Sequence, residues 1–222
     1  MFTQSEENYL KSIYHLQEEA EGGVSTNSIS EILKTKAASV TDMIKKLADK
    51  KLVDYQKYYG VKLTDTGKKH ALLIIRKHRL WEYFLVELLN FNWDEVHEVA
   101  EQLEHIKSPK LVEELDLFLG QPEYDPHGDP IPDANGNLPK TPKKRLSQLQ
   151  KGDFAICKGF NDTSSSFLKF LAKQEIGLNT KIEVIHIESF DESMTILLGE
   201  KKIQLSKTVT DSIYIEITVN TL

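Results

Sequence analysis

Between His78 and His105 the chain reads HRLWEYFLVELLNFNWDEVHEVAEQLEH, and imidazoles and carboxylates recur in it at one-turn spacing. His78 and Glu82 stand four apart, so on a helix both leave the same face. His97, Glu101, Glu104 and His105 follow at i, i+4, i+7 and i+8, which on a second helix groups them on one side. The apolar pattern lapses at Asn90-Phe91-Asn92, and the break between the two helices is expected there. An antiparallel pairing would bring these nitrogen and oxygen donors to one seam, with no thiolate among them. Such a set suits a borderline-hard divalent ion, Mn²⁺ or Fe²⁺, better than a structural zinc. Solvated helices also carry Glu and His at this spacing, and one pair alone would mean little. Six such groups interleaved with Leu, Val and Trp carry more weight.

The elements that position this stretch begin with a helix over Glu6–Glu21, where Tyr9, Leu10, Ile13, Tyr14 and Leu16 form an apolar stripe. Gly22-Gly23 ends it. A second helix, Asn27–Leu33, is capped by Ser25 or Thr26. A third, Ser39–Lys50, opens at Ala38 or Ser39, buries Val40, Met43, Ile44 and Leu47, and leaves Thr41, Asp42, Lys45 and Lys46 outward. Helix, short turn and a helix exposing small polar and basic residues near its start is the helix-turn-helix pattern. Two short strands, Val53–Lys57 and Val61–Leu63, turn at Tyr59-Gly60 as a wing, and Thr64-Asp65-Thr66-Gly67 starts the long helix that carries His78 and Glu82.

Charge supports this reading. The chain of 222 residues has a net charge of −6, but the charge is unevenly spread. Residues 34–69 hold ten lysines against four aspartates, while residues 70–125 hold five cationic and twelve acidic residues. A basic block suits phosphate and an acidic one suits cations. Double-stranded DNA is therefore the expected partner of the first block, contacted by Thr26, Lys36, Ala38, Ser39, Thr41, Asp42, Lys45 and Lys46, with Lys57 reaching from the wing.

A further helix spans Ser108–Leu119. Residues 120–142 then collect six of the seven prolines, which marks a linker or a folded-back loop. His127 lies in it beside Asp125 and Asp129 and is expected to be an exposed loop histidine. From Arg145 the apolar period changes to two, with FLKFLAKQ as the only helical insert, and a small β-barrel of about 75 residues is expected. No catalytic arrangement is visible in it. The single cysteine, Cys157, excludes an internal disulfide, reads as a small buried hydrophobe and fits a reducing cytoplasm. No apolar run reaches 18 residues and the N-terminus has no basic-then-apolar leader pattern, so neither a membrane span nor a secretory signal is expected.

Several stretches together resemble the diphtheria toxin repressor family of metal-dependent repressors: EENYLKSIYHL, SVTDMIKKLADKKLV, LTDTGKK, RKHRLWEYFL, DEVHEVAEQLEH and PHGDPIP. The resemblance covers essentially the full length. It implies a mainly α chain with β: a winged helix-turn-helix at 1–72, a helical metal-binding and dimerisation domain at 73–144 including the Pro-rich linker, and an SH3-like, FeoA-like domain at 145–222. It also implies a cytoplasmic homodimer that binds a palindromic operator with Mn²⁺ or Fe²⁺, two ions per subunit, and takes no small-molecule substrate. By position, His78, Glu82 and His97 match one family metal site. Glu104 and His105 match the second, with Glu101 where iron-responsive members have a cysteine. Asn8 occupies the ligand position of the first helix, and Lys11 stands where manganese-type members carry a glutamate. Asp162 is the candidate ligand from the C-terminal domain. The rival reading is a di-metal carboxylate enzyme or storage domain fused to a DNA-binding unit. Bundles of that kind use Glu-x-x-His pairs, and Gln102 stands three before His105.

Overall fold

The computed structural model describes residues 2–19, 22–56, 59–92, 95–139, 144–162 and 164–218. Two compact units divide the chain. One comprises Met1–Trp81, Ala100–Gln121 and Ile131–Leu138; the other comprises Glu82–Val99, Pro122–Pro130 and Pro139–Leu222.

In the first unit, helix α1 runs Gln4–Glu19, starting earlier than the apolar stripe indicates. The cause is a capping box. The Thr3 hydroxyl accepts from the Glu6 N–H at 3.2 Å, and the Glu6 carboxylate accepts from the Thr3 N–H at 3.0 Å. Ser25 caps α2, Thr26–Ile32, accepting from the Ser28 N–H. Helix α3, Ala37–Asp49, begins after Lys36 without a side-chain cap, so it opens earlier than the Ser39 expected. Its inward residues are Val40, Ile44 and Leu47, which pack with Leu10, Ile13 and Ile29. Strands β1, Val53–Gln56, and β2, Gly60–Leu63, pair antiparallel as the wing, with Val24 bridging to Val61. Gly60 sits at φ +91° against the Gly23 and Val24 backbone, a place only glycine fills. Two further helices follow, each divided between the two units: α4, Asp65–Leu89, and α5, Val96–Leu103. Helix α6, Pro109–Phe118, is capped by Ser108 with proline in its first turn. Arg76 on α4 is buried against Asp116 of α6 at 2.7 Å and donates to the Pro132 carbonyl at 2.8 Å.

The second unit is built on a six-stranded antiparallel sheet of order β3-β8-β4-β5-β6-β7. Its strands are β3 Lys144–Arg145, β4 Phe154–Phe160, β5 Lys181–Ile187, β6 Met194–Leu198, β7 Lys201–Leu205 and β8 Ile213–Thr218. The stretch SMTILLGEKKIQLS resolves into β6 and β7, joined by a two-residue hairpin at Gly199-Glu200. Leu146, Ala155, Cys157, Leu171, Val184 and Ile196 are among its core. Cys157 is fully buried, and burial pushes its thiol up to about 12. Helix α7, Ser165–Gln174, is the insert read from sequence, but not the only one: α8, Lys207–Asp211, is a second. Its β-branched KTVTD reads as strand, and the Ser206 side chain, accepting from the Val209 N–H, turns it into helix.

Candidate metal centre

Glu82 leaves α4 as a buried side chain, and α5 brings His97 Nδ1 to 3.2 Å from its Oε1. The loop of residues 122–130 supplies two more donors. Asp125 is 1% exposed and His127 7%, and one potential ligand atom from each of Glu82, Asp125 and His127 lies within 4.8 Å of the others. His127 Nδ1 is 3.8 Å from Glu82 Oε2.

The expectation of an exposed His127 is therefore wrong, and the reason is local. Asp125 Oδ1 accepts from the backbone N–H groups of His127 at 2.8 Å and Asp129 at 2.9 Å, folding the loop tightly on itself. Gly128, at φ +86°, then meets Gly159 of β4 so closely that a Cβ on either would collide with the other's backbone. Two glycines thus seat the loop and bury its imidazole. The same fold makes Asp125 a candidate ligand, and the sequence cue is the Asp-x-His spacing ahead of a glycine. Two imidazoles and two carboxylates here form a donor set for a borderline-hard divalent ion. Asp162, by contrast, has its Oδ1 bonded to the Ser164 N–H.

Glu104 and His105 do not continue the face of His97 and Glu101. Helix α5 closes at Leu103, with Glu104 N–H giving a last bond to Ala100, and the chain turns. Both residues then fall among α1 and His78, which stands one turn before Glu82 on α4. Glu104 is 1% exposed; its Oε2 lies 2.6 Å from His78 Nδ1 and 2.7 Å from Lys11 Nζ. Burial pushes the Glu104 carboxyl up, but the His78 hydrogen bond and the Lys11 charge outweigh it and hold it below the usual range. His105 Nδ1 lies 2.6 Å from Glu7 Oε2, and Lys77 Nζ is 3.8 Å from Glu7 Oε1. Burial lowers the Lys77 ammonium against the opposing pull of Glu7 and Glu104. Glu101 is exposed, 3.6 Å from Lys11. Asn8 is also exposed. The α1 residues that face this cluster are Glu7 and Lys11, one turn apart, so the expected Asn8 ligand is one position off the inward face.

On the reading side, Lys36, Ala38, Ser39, Asp42, Lys45 and Lys46 are exposed, while Thr26 and Thr41 are half-buried. Thr41 Oγ1 donates to the Ala37 carbonyl, and Lys45 lies 3.7 Å from Asp42. Lys46 and Lys50 reach back to Glu6 Oε1 at 3.0 and 2.7 Å. Burial alone would raise the Glu6 carboxyl, but bonds from Lys50, the Thr3 N–H and Lys46 bring it down to about 2. Lys57 lies outside the described residues.

A winged helix-turn-helix in one chain with buried His/carboxylate clusters defines a metal-responsive DNA-binding protein. The iron dependent repressor N-terminal DNA binding domain matches residues 1–61, the iron dependent repressor metal binding and dimerisation domain matches 64–133, and the FeoA domain matches 144–217. The chain belongs to the iron-dependent, or diphtheria toxin, repressor family, whose named members are metal-dependent DNA-binding repressors rather than enzymes. It is 36% identical to an uncharacterized HTH-type transcriptional regulator of Methanocaldococcus jannaschii over 117 residues, 53% of this chain and 94% of that one. It is 28% identical to the diphtheria toxin repressor of Corynebacterium jeikeium over 145 residues, spanning 65% of this chain and 60% of that one. A solved manganese-dependent transcriptional repressor in complex with manganese superposes with TM-score 0.81 and 35% identity, covering 96% of this chain and 99% of that one. The manganese regulator SloR gives TM-score 0.70 and 34% identity, covering 96% and 98%.

Proposed function

We propose that this chain is a homodimeric, cytoplasmic repressor that binds palindromic operator DNA when loaded with Mn²⁺ or Fe²⁺ and controls genes of metal uptake and homeostasis. The domains would be 1–72 for DNA, 73–144 for metal and pairing, and 145–222 as the FeoA-type module. The observation that carries the reading is the buried grouping of Glu82, Asp125 and His127, with His97 on Glu82, in a chain that begins with a winged helix. His78, one turn before Glu82 in the sequence, belongs to the same site on the family resemblance. Glu101, Glu104, His105 and Asn8 mark the region where the family resemblance places a second ion.

When bound, the ion supplies positive charge shared by these donors. The chain's own residues do the rest. Helix α4 starts two residues after β2 and carries His78 and Glu82 one turn apart. Lys36 and Lys45 supply phosphate contacts; Ser39 and Thr41 lie near the start of α3, where a recognition helix meets base edges. A hydrophobic face on α6, where Leu117 is 56% and Phe118 71% exposed, supports pairing with a second copy. Metal and operator then favour each other by one common factor.

Random duplexes selected with Mn²⁺-loaded protein provide the probe. Gel shifts on them with Mn²⁺, Fe²⁺ or chelator should retain DNA only in the metal lanes, and equal retention in all three refutes the proposal.

A further inference from the structure

We propose that Lys11 supplies the cation of the second cluster from within the chain, so that each subunit takes up one transition-metal ion rather than two. The inference rests on the metal-activated reading above and concerns only how many ions it needs.

Lys11 leaves the inward face of α1 and is nearly buried, with its side chain 12% exposed. Its ammonium lies 2.7 Å from Glu104 Oε2, 3.6 Å from Glu101 Oε1 and 3.3 Å from His78 Nδ1. Two of the three residues that would ligate a second ion, Glu101 and Glu104, are thus already gathered around a positive charge. The third, His105, is engaged at Nδ1 by Glu7, whose other oxygen faces the Lys77 ammonium. A divalent ion entering this cluster would sit within a few ångströms of Lys11 in a poorly solvated place, where like charges repel strongly. The donors do not fit a second ion while Lys11 remains among them.

The same lysine also positions His78, the residue that the family resemblance assigns to the first site. The 2.6 Å contact of His78 Nδ1 with Glu104 is a hydrogen bond in which Nδ1–H donates to the carboxylate. That tautomer leaves Nε2 with the lone pair a metal requires, the arrangement of a carboxylate–histidine–metal relay. The Lys11 ammonium, 2.7 Å from that same Glu104 oxygen, holds the carboxylate in place against His78. A metal ion in the second position would do so by ligation; here a tethered ammonium does it at all metal concentrations.

Full-length protein stripped with chelator and titrated with Mn²⁺, the free ion followed by electron paramagnetic resonance, counts the sites. The wild type should bind one ion per subunit. Lys11→Glu, which replaces the ammonium with a fourth donor, should bind two. Lys11→Met, similar in length and uncharged, should also admit a second, weaker ion, and it serves if the glutamate variant does not fold. Two ions on the wild type, or one on both folded variants, overturns the inference and leaves the repressor reading standing. No ion on any of the three removes the metal reading itself, and this inference with it.

Discussion

Glu6→Gln isolates the charge that ties the DNA-reading helix to α1. The buried carboxylate takes Lys46 of α3 and Lys50, just past its end, on Oε1 and the Thr3 N–H on Oε2. Glutamine keeps an acceptor for Thr3, because either side chain completes a capping box, so only the ionic part is lost. The carboxyl ordinarily titrates near 4.5 and here stands at about 2. At about 1.4 kcal/mol per pH unit, the bound on its contribution is about 3 kcal/mol. Lys46 and Lys50 keep 52% and 39% of their side chains in solvent. Screening there reduces the figure to about 1.5–2 kcal/mol. For a chain of this length that is a fall in Tm of about 3–8 °C at pH 7. Because the folded pKa is depressed, this stability is fully present above about pH 4.5 and is lost as pH falls through about 2. Thermal melts followed by far-ultraviolet circular dichroism at pH 7, 4, 3 and 2 should show the gap between wild type and variant closing with acid. A variant melting within about 1 °C of wild type at pH 7 would refute the electrostatic argument. A gap that persists undiminished at pH 2 would assign the loss to packing instead.

Three further outcomes follow from the geometry. His127→Ala removes a buried donor next to Glu82 and should weaken Mn²⁺ binding by about 100-fold or more, since even outer-shell changes cost about 10–100-fold; isothermal titration reads it, and an unchanged constant excludes the loop from the site. Lys45→Ala, on the exposed face of α3, should weaken DNA binding alike across sequences and make the salt dependence shallower by about one phosphate's worth. Binding curves at several salt concentrations test it, and a change confined to one base position would assign Lys45 to base readout. Arg76→Met leaves Asp116 buried without its guanidinium partner and frees the Pro132 carbonyl. About 3–5 kcal/mol should be lost, seen as a lower urea midpoint, and an unshifted midpoint would mean the pair contributes no net stability.

The winged helix was legible because its signals are local. Val40, Ile44 and Leu47 repeat at helical spacing, Ser25 is a good cap, and Tyr59-Gly60 marks the turn. The errors at its edges are also local. The Thr3–Glu6 box lies outside the apolar stripe, so the stripe starts α1 two residues late, and α3 opens at Ala37 with no side chain to announce it. In the sheet, the alternating runs gave the strands, whereas α8 hid in β-branched residues whose propensity points the other way.

Periodicity supplies the residue types of the metal-ligand inventory but cannot divide the donors between sites. An ideal helix from His97 to His105 keeps all four donors on one side, and nothing in VHEVAEQLEHIK, which holds neither Gly nor Pro, says that it closes at Leu103. Once it closes there, Glu104 and His105 are free to turn toward α1, 93 and 98 residues away along the chain from Lys11 and Glu7. Long-range charge pairing of that kind leaves no spacing in the sequence. It does leave one trace: a lysine and a glutamate one turn apart on the inward face of a helix whose other inward residues are Leu10, Ile13 and Tyr14. Charged side chains are rarely buried without partners, so the Glu7/Lys11 pair required an opposing His/Glu pair elsewhere in the fold. Glu104 and His105 are that pair. Lys11 on α1 is thus the cation of the second cluster before any metal is considered.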